Sequence, residues 1–253
     1  MKLDAILSGR PLLPAGPPSQ RASDAIGVAR VIAILGMVYV HAWTGQGGYY
    51  LWSTADEPQG VLRWTLMQFF GRSAVPLLGM ISGWLVAGSA ARAYGRFVSG
   101  KARTILLPMA LWNAIAIVLV SSAAAAGLIA GPTPSSLGWL INEMTSLTRP
   151  NHINVQMPFL RDLFVCMLAA PVLLRLPNRA LIAVAAAVAV WDVADVHLYV
   201  LLRPSILLFF VCGMLVRRTG LEMRAATWPI WAVTIPFLAM GAFRTWLATY
   251  GAE

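Results

Sequence analysis

Arg30 and His41 are separated by ten uncharged residues. On a helix, the eleven steps between them make about three turns, so both side chains project from nearly one face, about 16 Å apart along the axis. Histidine titrates near neutrality and can take a proton from a hydroxyl nucleophile. Arginine offers a planar fork of donors to phosphate or carboxylate. The pair could therefore hold an anion at one end of a helix and move a proton at the other. Each residue also has a plainer reading: Arg30 as an anchor reaching back to lipid headgroups, and His41 as an interfacial histidine bonded to a neighbouring helix. Arg72 is the next candidate, because a charge inside an apolar run is costly unless it is used or snorkels out. Otherwise it could face the same cavity as that pair.

Other clusters are less specific. Arg92, Arg96, Lys101 and Arg103 read as ordinary loop charge or as a patch that attracts phosphates. Arg161-Asp162 reads as a local ion pair that orients its helix. Asp192, Asp195 and His197 are a weak metal set, and no metal is expected. His152 falls in a loop and is assigned no chemistry. Trp43, Tyr49, Tyr50 and Trp52 read as an interfacial aromatic belt. Cys166 and Cys212 both lie in apolar runs and read as packing residues.

The elements that must position these residues follow from composition. The chain is 58% hydrophobic and 11% charged, with a mean hydropathy of +0.70. Soluble domains carry about 25% charged residues, so too little charge remains here for a water-facing surface. The expected fold is all-α, a polytopic transmembrane helical bundle. Residues 1–22, rich in proline and small residues, read as a disordered basic cytoplasmic tail. About seven spans follow, over 26–43, 66–87, 104–130, 157–174, 180–196, 204–216 and 228–247. Pro76 is expected to kink the second. Between the third and fourth, 137–147 reads as a short interfacial helix.

The net charge of +9 raises nucleic acid as a partner, but the positions of the charges argue against it. With the N-terminus inside, Lys2, Arg10, Arg21, Arg30, Arg92, Arg96, Lys101, Arg103, Arg175, Arg179, Arg217, Arg218 and Arg224 fall on the cytoplasmic side. Only Arg63, Arg149, Arg161, Arg203 and Arg244 fall outside. That asymmetry is the positive-inside pattern. The expected partner is the bilayer.

Five blocks in order resemble the membrane acyltransferase-3 family, bacterial integral-membrane enzymes that acylate sugars. They are the arginine and histidine of the first span, Ala74-Val75-Pro76-Leu77-Leu78-Gly79-Met80-Ile81-Ser82-Gly83-Trp84-Leu85, the basic stretch from Arg96 to Leu107-Pro108, Pro158-Phe159-Leu160-Arg161-Asp162-Leu163, and Gly213-Met214-Leu215. Pro158 stands where the family commonly has tryptophan, and Leu77-Leu78 replace its usual phenylalanines. The family usually has about ten spans, so the chain is expected to be a short or C-terminally truncated member, with residues 23–253 as its acyltransferase-like domain.

The resemblance implies transfer of an acyl group, often acetyl, from cytoplasmic acyl-CoA to a hydroxyl of a cell-surface or exported polysaccharide or glycolipid. It implies a multi-pass protein of the bacterial inner membrane. His41 would then be the general base, with Arg30 and Arg72 beside it in the catalytic set. Arg30, Lys101 and Arg103 would hold the donor's phosphates, and Arg161 and Asp162 would act on the acceptor side. The rival readings are a small transporter or flippase using Arg30, His41 and Arg72 as a pathway, and a non-catalytic membrane assembly protein.

Overall fold

The computed structural model describes residues 20–42, 62–64, 66–88, 94–194, 196, 198–225 and 227–250. Among them the regular elements are helical, apart from an isolated bridge between Leu198 and Leu201. Helix α1 is Gln20–Ala42. A π-helical segment, Leu66–Gly71, leads into α2, Arg72–Ala87. Helix α3, Tyr94–Lys101, passes through a second π-helical segment, Ala102–Leu106, into α4, Leu107–Ala125. Then come α5, Leu137–Thr145, α6, Pro158–Leu173, α7, Asn178–Val193, and α8, Pro204–Thr219. The short α9, Leu221–Ala225, and α10, Ile230–Tyr250, complete the order.

Among the described residues, two helices are long and apolar enough to cross a membrane: Gln20–Val40 and the continuous Tyr94–Ala125. Helices Arg72–Ala87 and Ile230–Phe243 are apolar but shorter. Val28, Ile32, Leu35 and Val38 on one face of α1 are exposed, whereas Ala33 on the face toward α2 is buried; most of the side chains described on α10 are exposed. A helix whose exposed face is apolar is built for a hydrocarbon or protein surround rather than for water.

The basic stretch before Pro108 is a helix, not a connection. Helix α3 begins ten residues before the expected start at 104; Arg96 and Lys101 ride on it, and Arg103 on the π-helical segment that continues it. Proline lacks an N–H, and its ring clashes with the carbonyl four residues back. Pro108 is preceded by one π-helical segment and Pro76 by the other, the kind of local widening that lets a helix continue past such a defect.

Glycines set the closest approaches. A Cβ on Gly83 would lie 1.9 Å from the Phe210 carbonyl oxygen, and one on Gly213 would lie 1.9 Å from that of Met80. Gly79, one turn earlier, faces the Ile206 carbonyl at 3.3 Å. Gly79 and Gly83 are thus a small-residue stripe on which the α8 backbone rests. Since Gly79, Gly83 and Gly88 face Ile206, Phe210 and Arg217 in turn, α2 and α8 run parallel. Ile206, Phe210, Val211 and Met214 of α8 join Phe159, Leu163, Cys166 and Ala170 of α6 in the core. At Gly71 a Cβ would overlap the Val40 side chain, at 1.7 Å, so the end of α1 abuts the start of α2. As α1 also packs along α2, the two are antiparallel.

Candidate active site

These directions gather chemically capable residues at two ends of the bundle. One end holds the α1 C-terminus with His41, the α2 N-terminus with Arg72, the N-termini of α6 and α8, and the loop between α5 and α6. The other holds the C-termini of α2, α6 and α8.

At the first end, the Gly71–Val40 contact brings the α1 terminus that carries His41 to the start of α2, which opens on Arg72. The His41 side chain lies outside the described residues. Arg72 is exposed and engaged in an interaction with its surroundings. Arg30 is exposed on α1, about 16 Å from His41 toward the other end by helical rise.

Arg161 and Asp162 do form an ion pair, Nη1 to Oδ1 at 2.6 Å, with Asp162 fully buried. Arg161 also donates through Nη1 to the Val200 carbonyl at 2.9 Å and through Nη2 to that of Leu147 at 3.3 Å. A further Nη2 bond reaches the Tyr199 carbonyl. The Asp162 carboxylate accepts the backbone N–H groups of Leu202 at 3.2 Å and Arg203 at 2.9 Å, just ahead of α8. Asp192 accepts from Ser205 N at 2.9 Å. Two carboxylates thus satisfy orphan donors and complement the dipole at one helix N-terminus. The pair binds three chain segments together.

The sequence reading missed the residues beside it. Glu143, on α5, is 1% exposed, and its carboxylate meets Nδ1 of His152 at 2.6 Å. It also accepts the backbone N–H of His152 at 3.0 and 2.9 Å and that of Ile153 at 3.2 Å. His152, taken as an inert loop residue, is therefore half of a carboxylate–imidazole pair. Asn113 of α4 donates to the Met144 carbonyl at 3.0 Å and accepts from Asn154 at 3.0 Å. Asn142 Oδ1 accepts from the backbone of Thr148 and Arg149 at 3.1 and 3.2 Å. Ser146, at φ 52°, is held in the left-handed region with its hydroxyl donating to Asn151. The available signal was Asn142-Glu143 inside an otherwise apolar helix and Asn113 inside a candidate span, where buried polar groups need partners.

At the second end, Arg218 donates to the carbonyls of Leu176 at 2.6 Å and Leu174 at 2.5 Å, capping α6. Arg217 stacks over Trp84 at 4.3 Å and pairs with Glu222 at 3.4 Å. Lys101 lies 5.7 Å from the Phe97 ring centroid, and Arg103 is exposed. Both sit about 15–18 Å from Asn113 by helical rise. Their helix packs on α6, whereas that of Arg30 packs on α2. Arg92, Asp195 and His197 lie outside the described residues. No group of three metal-ligating side chains occurs among the described residues.

A family model described as an acyltransferase domain matches residues 23–252. The chain is 30% identical over 214 residues to the succinoglycan biosynthesis protein ExoH of Rhizobium meliloti (strain 1021). The aligned part covers 80% of this chain and 56% of ExoH, so the chain spans little more than half the length of that relative. No solved structure gives a significant match.

Proposed function

The chain belongs to the acyltransferase-3 family, and from that premise we propose that it is a membrane O-acyltransferase acting on a polysaccharide or its glycolipid precursor. The acyl group, acetyl in the simplest case, comes from cytoplasmic acyl-CoA. The observation that carries this reading is the family match, which runs through nearly every helix described above. A relative whose name places it in succinoglycan biosynthesis supports a carbohydrate acceptor.

In the proposed reaction, an acceptor hydroxyl oxygen attacks the thioester carbonyl carbon. His41 takes the hydroxyl proton as the C–O bond forms. The oxyanion collapses, the C–S bond breaks, and the proton passes to the departing CoA sulfur. Arg72, at the start of α2 where the His41 end of α1 meets it, is suited to stabilise the oxyanion. Arg30, Lys101 and Arg103 would draw in the donor phosphates. Arg161 and Asp162 would hold the acceptor-side loops in place.

The same proposal places the chain in the bacterial inner membrane with seven spans and a cytoplasmic N-terminus. The two long apolar helices and the basic second end support it. To test the activity, membranes holding the protein are given acyl-labelled acetyl-CoA and an alkali-treated polysaccharide acceptor. Label should move to the acceptor with stoichiometric release of CoA. Acceptor-independent CoA loss, or no loss beyond that of empty membranes, would refute the reading.

A further inference from the structure

Glu143 and His152 lie outside the proposed His41 chemistry and form the one carboxylate–imidazole pair among the described residues. The geometry is directional. Both Glu143 carboxylate oxygens accept backbone N–H groups, so in the 2.6 Å contact with Oε1 the ring is the donor, with its proton on Nδ1. A neutral ring then offers a lone pair at Nε2. Among the described residues Nε2 has no hydrogen-bond partner, and the His152 side chain is 50% exposed while that of Glu143 is 1% exposed. The loop does not need the ring for its own shape. Glu143 already holds the backbone N–H groups of His152 and Ile153, and Asn113 anchors the following Asn154.

We propose that His152 is a substrate-binding residue that accepts a hydrogen bond at Nε2 from a carbohydrate hydroxyl, with Glu143 as the positioning residue that fixes its tautomer. The arrangement is the familiar one in which a buried carboxylate sets which imidazole nitrogen faces the ligand. It sits on a loop braced by buried amides, at the end of the bundle that also holds the α1 terminus with His41. A sugar ring presents several hydroxyls, each both donor and acceptor, and a rigidly oriented acceptor on the protein selects among them. The identity of the ligand as the acyl acceptor rests on the acyltransferase reading; the built hydrogen-bonding site does not.

Two substitutions separate binding from loop structure. His152→Asn can keep the bond to Glu143 but carries nothing at the Nε2 position; His152→Gln reaches that position with its amide. The full chain is assayed in proteoliposomes with labelled acetyl-CoA and alkali-treated succinoglycan oligosaccharide. Loss of one hydrogen bond to substrate is expected to raise the acceptor KM of His152→Asn about tenfold. Its kcat and donor KM should stay unchanged, and His152→Gln should recover most of the acceptor KM. A wild-type acceptor KM in His152→Asn, or a defect confined to kcat, would overturn the proposal. If the wild-type protein transfers no acyl group, the acyltransferase reading fails and direct binding decides. Calorimetric titration with the same oligosaccharide then upholds the site if His152→Asn binds about tenfold more weakly, and overturns it if the two bind alike or neither binds.

Discussion

Residue-level chemistry divides the charged side chains into those whose bonds are used up by the fold and those left available. Arg161 spends its donors on Asp162 and on carbonyls from two other segments. Asp162 is fully buried, so removing it strands the guanidinium and orphans two backbone N–H groups. Asp162→Ala is expected to cost about 3–5 kcal/mol, read as a large fall in Tm of the detergent-solubilised protein. Unchanged thermal stability would show that the pair is not structural. His41→Ala should behave in the opposite way. Loss of a general base removes about 10²–10⁴ in kcat while membrane level and Tm stay as in wild type. Normal acylation by that variant would remove His41 from the reaction. Arg72→Gln is expected to lower kcat by about 10²-fold with little change in donor KM, and unaltered turnover would place the arginine outside the site.

Among the elements, the motif glycines are packing devices rather than chemistry. Gly83 and Gly213 occupy mutually complementary points of contact between α2 and α8, each opposite a backbone carbonyl of the other helix. A side chain at either must push two backbones apart, so Gly83→Leu and Gly213→Leu are expected to destabilise at or beyond the upper end of overpacking costs, about 3 kcal/mol. Gly27→Ala, with nothing within 4 Å of its new Cβ, is the neutral control. Comparable melting of all three proteins would contradict the packing assignment. Several of these elements were legible in the sequence. Apolar runs ending in arginine marked α6 to within one residue at each end and α8 at its start, though α8 continues three residues past the expected stop, through Arg217 and Arg218, and an apolar stretch between proline-rich and polar segments marked α5. The start of α3 was not legible, because four basic residues in twelve positions imitate a loop. The Glu143–His152 pair was also hidden. Its partners are nine residues apart across a turn, and no periodicity reports such a contact. The Arg161–Asp162 pair was visible because its members are neighbours, although its bonds to 199–203 were not.

At the scale of the whole molecule, the two ends differ in what they offer a ligand. One carries a braced polar loop, the pair at Glu143 and the terminus of the His41 helix. The other carries Lys101, Arg103, Arg175, Arg179, Arg217 and Arg218, several of them on exposed positions. A donor with phosphates at one end and a thioester at the other fits such polarity if the basic end faces the cytoplasm. The positive-inside rule gives the same orientation by a separate physical route, since retention of basic loops during insertion does not depend on any ligand. Impermeant thiol labelling tests it directly. In a protein with Cys166 and Cys212 replaced by alanine, Ser135→Cys tags the loop ahead of α5 and Arg179→Cys tags the opposite end. Both positions are exposed. In intact spheroplasts the reagent should reach the first and spare the second until the membrane is permeabilised. The reverse pattern would put the basic end outside, where cytoplasmic acyl-CoA cannot meet it, and would require a different donor. Labelling of both in intact cells would remove the bilayer from between the two ends, and with it the transmembrane assignment of the helices that separate them.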